Sequence, residues 1–124
     1  MEINSNNREE EIRAIDELND MIWTIRGTAI VTDGDPMKMG REAFEKCIAL
    51  NYTDGQARTL LNIGMGAFII LHDAPLAVKQ LNEAITLFSE LGDKKWIANA
   101  RLTLAIIYNS ISQQEPAMYN ALKG

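Results

Sequence analysis

Apolar residues along this chain recur at intervals of three and four, broken by short polar turns. Over residues 9–32 the positions Ile12, Ile15, Leu18, Met21, Ile22, Ile25 and Ala29 share one helix face. The run Asp33-Gly34-Asp35-Pro36 stops that helix, and Pro36 is placed to open the next. The second helix, over 37–50, carries Met39, Ala43, Cys47, Ile48 and Leu50 on one side. Its wet side pairs Arg41 with Glu45 and Glu42 with Lys46 at a spacing of four. Residues 51–55 interrupt the pattern, and a third helix is expected over 56–71 with Ala57, Leu60, Leu61, Gly64, Ala67, Phe68 and Leu71 on its face. Asp73 then reads as an N-cap with Pro75 near the first helical position. A fourth helix over 76–91 follows, with Ala77, Val78, Leu81, Ala84, Ile85 and Phe88 inward and Gly92 as its C-cap. The fifth, over 95–111, shows Ile97, Ala100, Leu104, Ala105, Ile107 and Tyr108. Residues 112–115 turn the chain, and Pro116 starts a short sixth helix ending near Leu122. Residues 1–8 read as a flexible tail. No run of alternating β-branched residues stands between turns, so the fold expected is all-α, with about six helices.

The register of the third and fourth helices recurs about forty residues later: Asp54 falls on Lys94, Leu60 on Ala100, Phe68 on Tyr108 and Ala77 on Ala117. Short loops make consecutive helices antiparallel neighbours, which gives hairpins over about 9–50, 56–91 and 95–122. A hairpin of this size cannot bury its own apolar face and must stack on another. Small residues at Ala77, Ala84, Ala100, Ala105 and Ala117 suit the close approach of helix backbones. Gly64 and Gly66 each cost about 1 kcal/mol of helix propensity relative to alanine, which a hard-packed neighbour would explain.

Those positions carry a resemblance. Leu61, Phe68, Ala77, Leu81 and Ala84, closed by Leu91-Gly92-Asp93, resemble a tetratricopeptide repeat of the longer signalling type, and Leu104, Ala105, Tyr108 and Ala117 continue it. The likeness covers about residues 54–121; the first hairpin reads as a degenerate or capping unit. It implies a right-handed superhelical stack of antiparallel hairpins, an α-solenoid, whose concave surface binds protein. Carried over by position, the partner-binding groove would be Thr59, Asn62, Gly66, Ile69 and Ile70 with Asn99, Leu102, Ile106, Asn109 and Ser110. Of the lysine and asparagines with which some relatives hold a peptide carboxylate, Asn62 alone is present. A mostly apolar groove suits an amphipathic helix or a second copy of the chain. Similar repeats occur in bacterial signalling proteins, so the resemblance implies the regulatory segment of a larger cytoplasmic protein, with an output domain expected past Gly124.

Composition narrows the alternatives. The chain has 124 residues, a net charge of −5 and 47% hydrophobic residues, enough for one core. The acidic balance and scattered cations argue against a nucleic-acid backbone as partner. No apolar run approaches a membrane span, no basic–apolar leader opens the sequence, and the lone Cys47 suits a reducing compartment. The short sixth helix leaves Ile107, Ile111, Met118 and Leu122 without a following repeat. Left wet, each forgoes about 1.5–3 kcal/mol, so self-association to a homodimer through these residues or the first helix is expected. The alternative function is therefore a dimerisation scaffold with no ligand groove in use.

Catalytic chemistry finds little material. His72, the only histidine, falls at a helix end, where the dipole stabilises it as a surface group. Cys47 lies on an apolar face and reads as a small buried hydrophobe. One histidine and one cysteine make no cluster at metal-ligand spacing. Gly64-Met65-Gly66 sits inside a helical pattern and no Gly-Lys-Ser/Thr follows it, so it is no phosphate loop. Neither an enzyme nor a cofactor is expected. Trp23 and Trp96 are the aromatic residues large enough to anchor a partner, with core packing the plainer role for each.

Overall fold

The computed structural model describes residues 5–25, 36–69 and 71–123. Of the positions singled out above, Ile70, Ala29 and the turn at 33–35 lie outside the described residues, as do the side chains of Met21, Ile22, Trp23, Ile25 and Met39. Among the described residues six helices follow one another: α1 (Ser5–Ile25), α2 (Pro36–Ala49), α3 (Thr53–Ile69), α4 (Ala74–Leu91), α5 (Lys94–Gln114) and α6 (Pro116–Lys123). The described residues hold no strand, and among them no helix is long and apolar enough to cross a membrane. The protein is all-α. The most extensive pairing is α3 with α4; α2 lies against α3, α5 against α4 and α6 against α5, while α1 leans more on α3 than on α2.

The helix ends follow from single residues. Asp73 Oδ1 accepts the backbone N–H of Leu76 at 3.0 Å, and Asp93 Oδ1 that of Trp96 at 3.2 Å, so both aspartates cap the helices they precede. Gly92 ends α4 at φ +70°, with its own N–H bonded to Ser89 O and the next N–H, of Asp93, to Phe88 O. That paired closure satisfies carbonyls that would otherwise be orphaned. Asn51, at φ +57°, does the same for α2: its N–H reaches Ile48 O and that of Tyr52 reaches Cys47 O. Because this closure is so tight, α3 starts at Thr53, earlier than the pattern implied. Pro36 is the first residue of α2, as expected.

Two other boundaries are corrected. Helix α1 begins at Ser5, so residues 5–8 are no tail: Arg8 Nη2 donates to Leu50 O at 3.1 Å and ties this first turn to the end of α2. Glu9–Glu11 consequently lie a turn inside the helix, where the dipole acts weakly. Helix α5 runs on through Ser112–Gln114, because nothing breaks it until Pro116 forces Glu115 out of the helical region, to φ −140° and ψ 77°.

The main core gathers α3, α4 and α5 around Leu61, Leu81, Phe88 and Ile107, with Ala57, Ala67, Ala77, Ala84 and Ala100 fully enclosed. Gly64 sits where α4 comes closest. A Cβ there would lie 3.0 Å from Leu81 Cγ and 3.3 Å from the Ala77 carbonyl oxygen, which belongs to backbone and cannot swing away. A smaller cluster of Ile15, Cys47 and Leu50, with Ile12 and Tyr52 against it, joins α1 to α2. Ala105 and Ala117 are exposed, so they lie outside the helix seams assigned to them. The helix turn that buries Ala100, Leu104 and Ile107 necessarily points Ala105 outward.

Gly64→Val should therefore lower unfolding stability by about 2 kcal/mol or more, whereas Ala105→Leu should change it by less than about 0.5 kcal/mol. Urea denaturation of the two variants compares the seam with the surface. Equal losses would show that α4 does not bear on α3 at this point.

Candidate functional site

The face expected to bind a partner is built from α3 and α5, and the structure divides its residues into three groups. Leu102 and Ile106, one turn apart on α5, are 62% and 59% exposed, and Ile69 near the end of α3 is 38% exposed. Asn109 is exposed; Gly66, Asn99 and Ser110 are half-buried. Thr59 and Asn62 are buried and belong to no open groove. Ile69 and Ser110 meet across a cleft of about 340 Å³ that also takes in Phe68, His72, Gln114 and Met118. His72 is exposed and ends α3 in the left-handed conformation, at φ +54°.

Thr59 and Asn62 are covered because α1 docks on them through one side chain. Asn19, itself buried, donates from Nδ2 to Thr59 Oγ1 at 3.1 Å, while Asn62 Nδ2 donates to Asn19 Oδ1 at 2.9 Å and to Asn19 O at 3.3 Å. The polar stripe read as a recognition surface is thus a seam between the first two hairpins. A signal was present in the sequence: Asn19 stands forty residues before Thr59, the same interval as the repeat.

Beside this seam Arg58 links three helices. Its Nη2 donates to Asp20 Oδ1 of α1 at 2.6 Å, and its guanidinium lies 4.2 Å from the centre of the Trp96 ring on α5. Trp96 in turn stacks near Phe88, with ring centres 6.1 Å apart, so it packs against the main core. Tyr52 donates its hydroxyl to Asp16 Oδ1 at 2.6 Å. Burial and the neighbouring Asp16 push the Tyr52 phenol above its usual range. Asp54 is held above the ordinary carboxylate range by burial, then by Asp93 and Asp16, with Arg58 offsetting part of this. Its Oδ1 is buried and finds no donor on the protein. The Cys47 thiol, fully buried, is pushed up mainly by desolvation and also by Asp16, with the Thr59 hydroxyl acting the other way. It is part of the small core. Among the described residues no three metal-ligating side chains converge.

Two members of the set expected at a self-association surface belong to the core instead. Ile107 and Ile111 are buried in the main core, with Met118 and Leu122 of α6 half-buried against it. Two turns of helix suffice to roof α5, since Met118 and Leu122, four apart, present one apolar edge. Compared with protein-family models, with curated proteins and with solved structures, the chain shows no significant match.

Two measurements test this arrangement. Asn19→Ala should cost about 1–3 kcal/mol, since it leaves the polar groups of Thr59 and Asn62 buried and unpaired; urea unfolding reads it, and a neutral substitution would remove α1 from the seam. Asp54→Asn should raise the melting temperature at pH 7. With the folded pKa above its unfolded value, the proton-bound form favours folding, and that stability is lost as pH rises through the folded pKa. The gain from Asn should therefore shrink as pH falls through the raised folded pKa and vanish below the ordinary carboxylate value, about 4, and a gain independent of pH would contradict the assignment.

Proposed function

We propose that this chain is a non-catalytic interaction module, a right-handed stack of tetratricopeptide-like hairpins whose α3–α5 face binds a protein or an amphipathic peptide. The observation that carries the reading is the exposure of Leu102 and Ile106 on a helix that buries Ala100, Leu104, Ile107 and Ile111 on its other side. Covering two such side chains recovers about 1.5–3 kcal/mol apiece, and their one-turn spacing matches the apolar stripe of a helical ligand. Ile69 of α3 is exposed as well and lines the cleft shared with Ser110. The half-buried Asn99 and exposed Asn109 frame it with hydrogen-bonding groups. In this reading the chain is a regulatory or sensory segment of a larger cytoplasmic signalling protein. It uses no cofactor, and neither nucleic acid nor membrane is its partner.

The test is a display library of amphipathic helical peptides, selected on the wild-type chain and rescreened on Leu102→Glu/Ile106→Glu. Both positions are outside the core, so the variant should melt within a few degrees of wild type, as exposed substitutions do. Enriched peptides should lose at least about tenfold in affinity, the equivalent of about 1.4 kcal/mol. Peptides that bind both proteins equally, or no enrichment at all, would remove the α3–α5 face from consideration.

A further inference from the structure

The two outer hairpins carry opposite charge. Helix α1 has six carboxylates and two arginines, whereas α5 and α6 together have four cations and no carboxylate. Each hairpin also presents a shallow cleft between its helices. In the first, Glu11, Ala14 and Leu18 of α1 face Glu42, Ala43 and Lys46 of α2 around about 210 Å³. In the last, Arg101, Tyr108, Tyr119 and Lys123 line about 390 Å³ between α5 and α6.

Both clefts are turned away from the middle hairpin. Asn19 of α1 and Phe44 of α2 point into it, the first bonded to α3 and the second packed on the main core, so Ala14 and Glu42 look outward. On α5, Ala100, Leu104, Ile107 and Ile111 take the core side, which leaves Arg101, Ala105 and Asn109 outside. The C-terminal cleft has an aromatic floor. Tyr108 and Tyr119 meet edge to face with centres 6.1 Å apart, and Lys123 Nζ sits 5.8 Å and 5.6 Å from the two rings.

We infer that the chain self-associates head to tail, the α1/α2 cleft of one copy docking on the α5/α6 cleft of the next. The occupant of each cleft is a second copy, because the charges lining the two clefts are opposite in sign. Glu11 and Glu42 meet Arg101 and Lys123, while Ala14 and Leu18 cover the tyrosine floor. Glu10 and Glu17, exposed on α1 within a turn of Ala14, add to the acidic side, and Lys46 is its one cation among the cleft residues. A symmetric dimer through either cleft would set like charges against each other, which is destabilising. A head-to-tail contact leaves one cleft open at each end of the assembly, so it grows with concentration unless it closes into a ring. The inference is independent of the α3–α5 face, since neither Leu102 nor Ile106 lines either cleft.

Sedimentation velocity on the full chain tests it with two variants, Glu11→Lys/Glu42→Lys and Arg101→Glu/Lys123→Glu. All four side chains lie outside the core, and circular dichroism on both variants is the check that they fold. Wild type should gain mass with concentration, its dissociation constant weakening about tenfold or more between about 0.05 and 0.5 M salt. Each variant alone should stay monomeric, because its two clefts then carry the same sign. An equimolar mixture should associate again, since both kinds of contact are once more complementary. A wild type that stays monomeric would assign the clefts to some other occupant and overturn the inference. So would a variant that associates as wild type does, a mixture without recovery, or a dimer lost only on the α5/α6 substitution.

Discussion

The close approach of α4 to α3 at Gly64 is the constraint on which the rest of the molecule depends. Helix α3 is the one element touched by α1, α2, α4 and α5. Its small residues set how near those neighbours come. Ala57 and Ala67 are fully enclosed on the same helix, and Ala77 and Ala84 answer them from α4. The propensity lost at Gly64 is offset by burial of Leu61, Leu81 and Phe88, which a wider separation would leave with voids.

Two kinds of joint hold the hairpins together. The middle and last hairpins are joined by an apolar core that passes through Phe88, Ala100 and Ile107. The first hairpin packs α2, with Phe44, on the main core and adds polar groups to that joint: Asn19 with Thr59 and Asn62, Tyr52 with Asp16, and Arg58 with Asp20. An apolar joint tolerates exchanges of similar volume, while a buried hydrogen-bonded joint demands matched donors and acceptors. Register between α1 and α3 is accordingly set by a few atoms. Asp54 shows the strain of this choice, a carboxylate half-buried beside two others.

Surface chemistry is distributed along the same architecture. Apolar side chains remain open on the outer turns of α5, and charge is segregated between the first and last hairpins. The middle hairpin touches both of the others, α1 and α2 through α3 and α5 through α4. Among the described residues no three metal-ligating side chains converge on this surface.

The spacing of apolar residues marked out the run of helices, and the residues at the turns marked Pro36 at the start of α2, the cap at Asp73 and the left-handed closure at Gly92. These are local: each depends on residues within a turn or two of one another. Much of the core was legible for the same reason, since Leu61, Leu81 and Phe88 repeat the helix period. The candidate site was legible only in part. Leu102, Ile106 and Ile69 emerged exposed, but Thr59 and Asn62 were covered by Asn19, which is distant in sequence and polar, so no hydrophobic period announces it. Ile107 and Ile111 likewise looked unroofed until α6 was seen to fold back on α5. Periodicity places a side chain on a face of its own helix; which neighbour covers that face is decided only when helices forty residues apart are brought together.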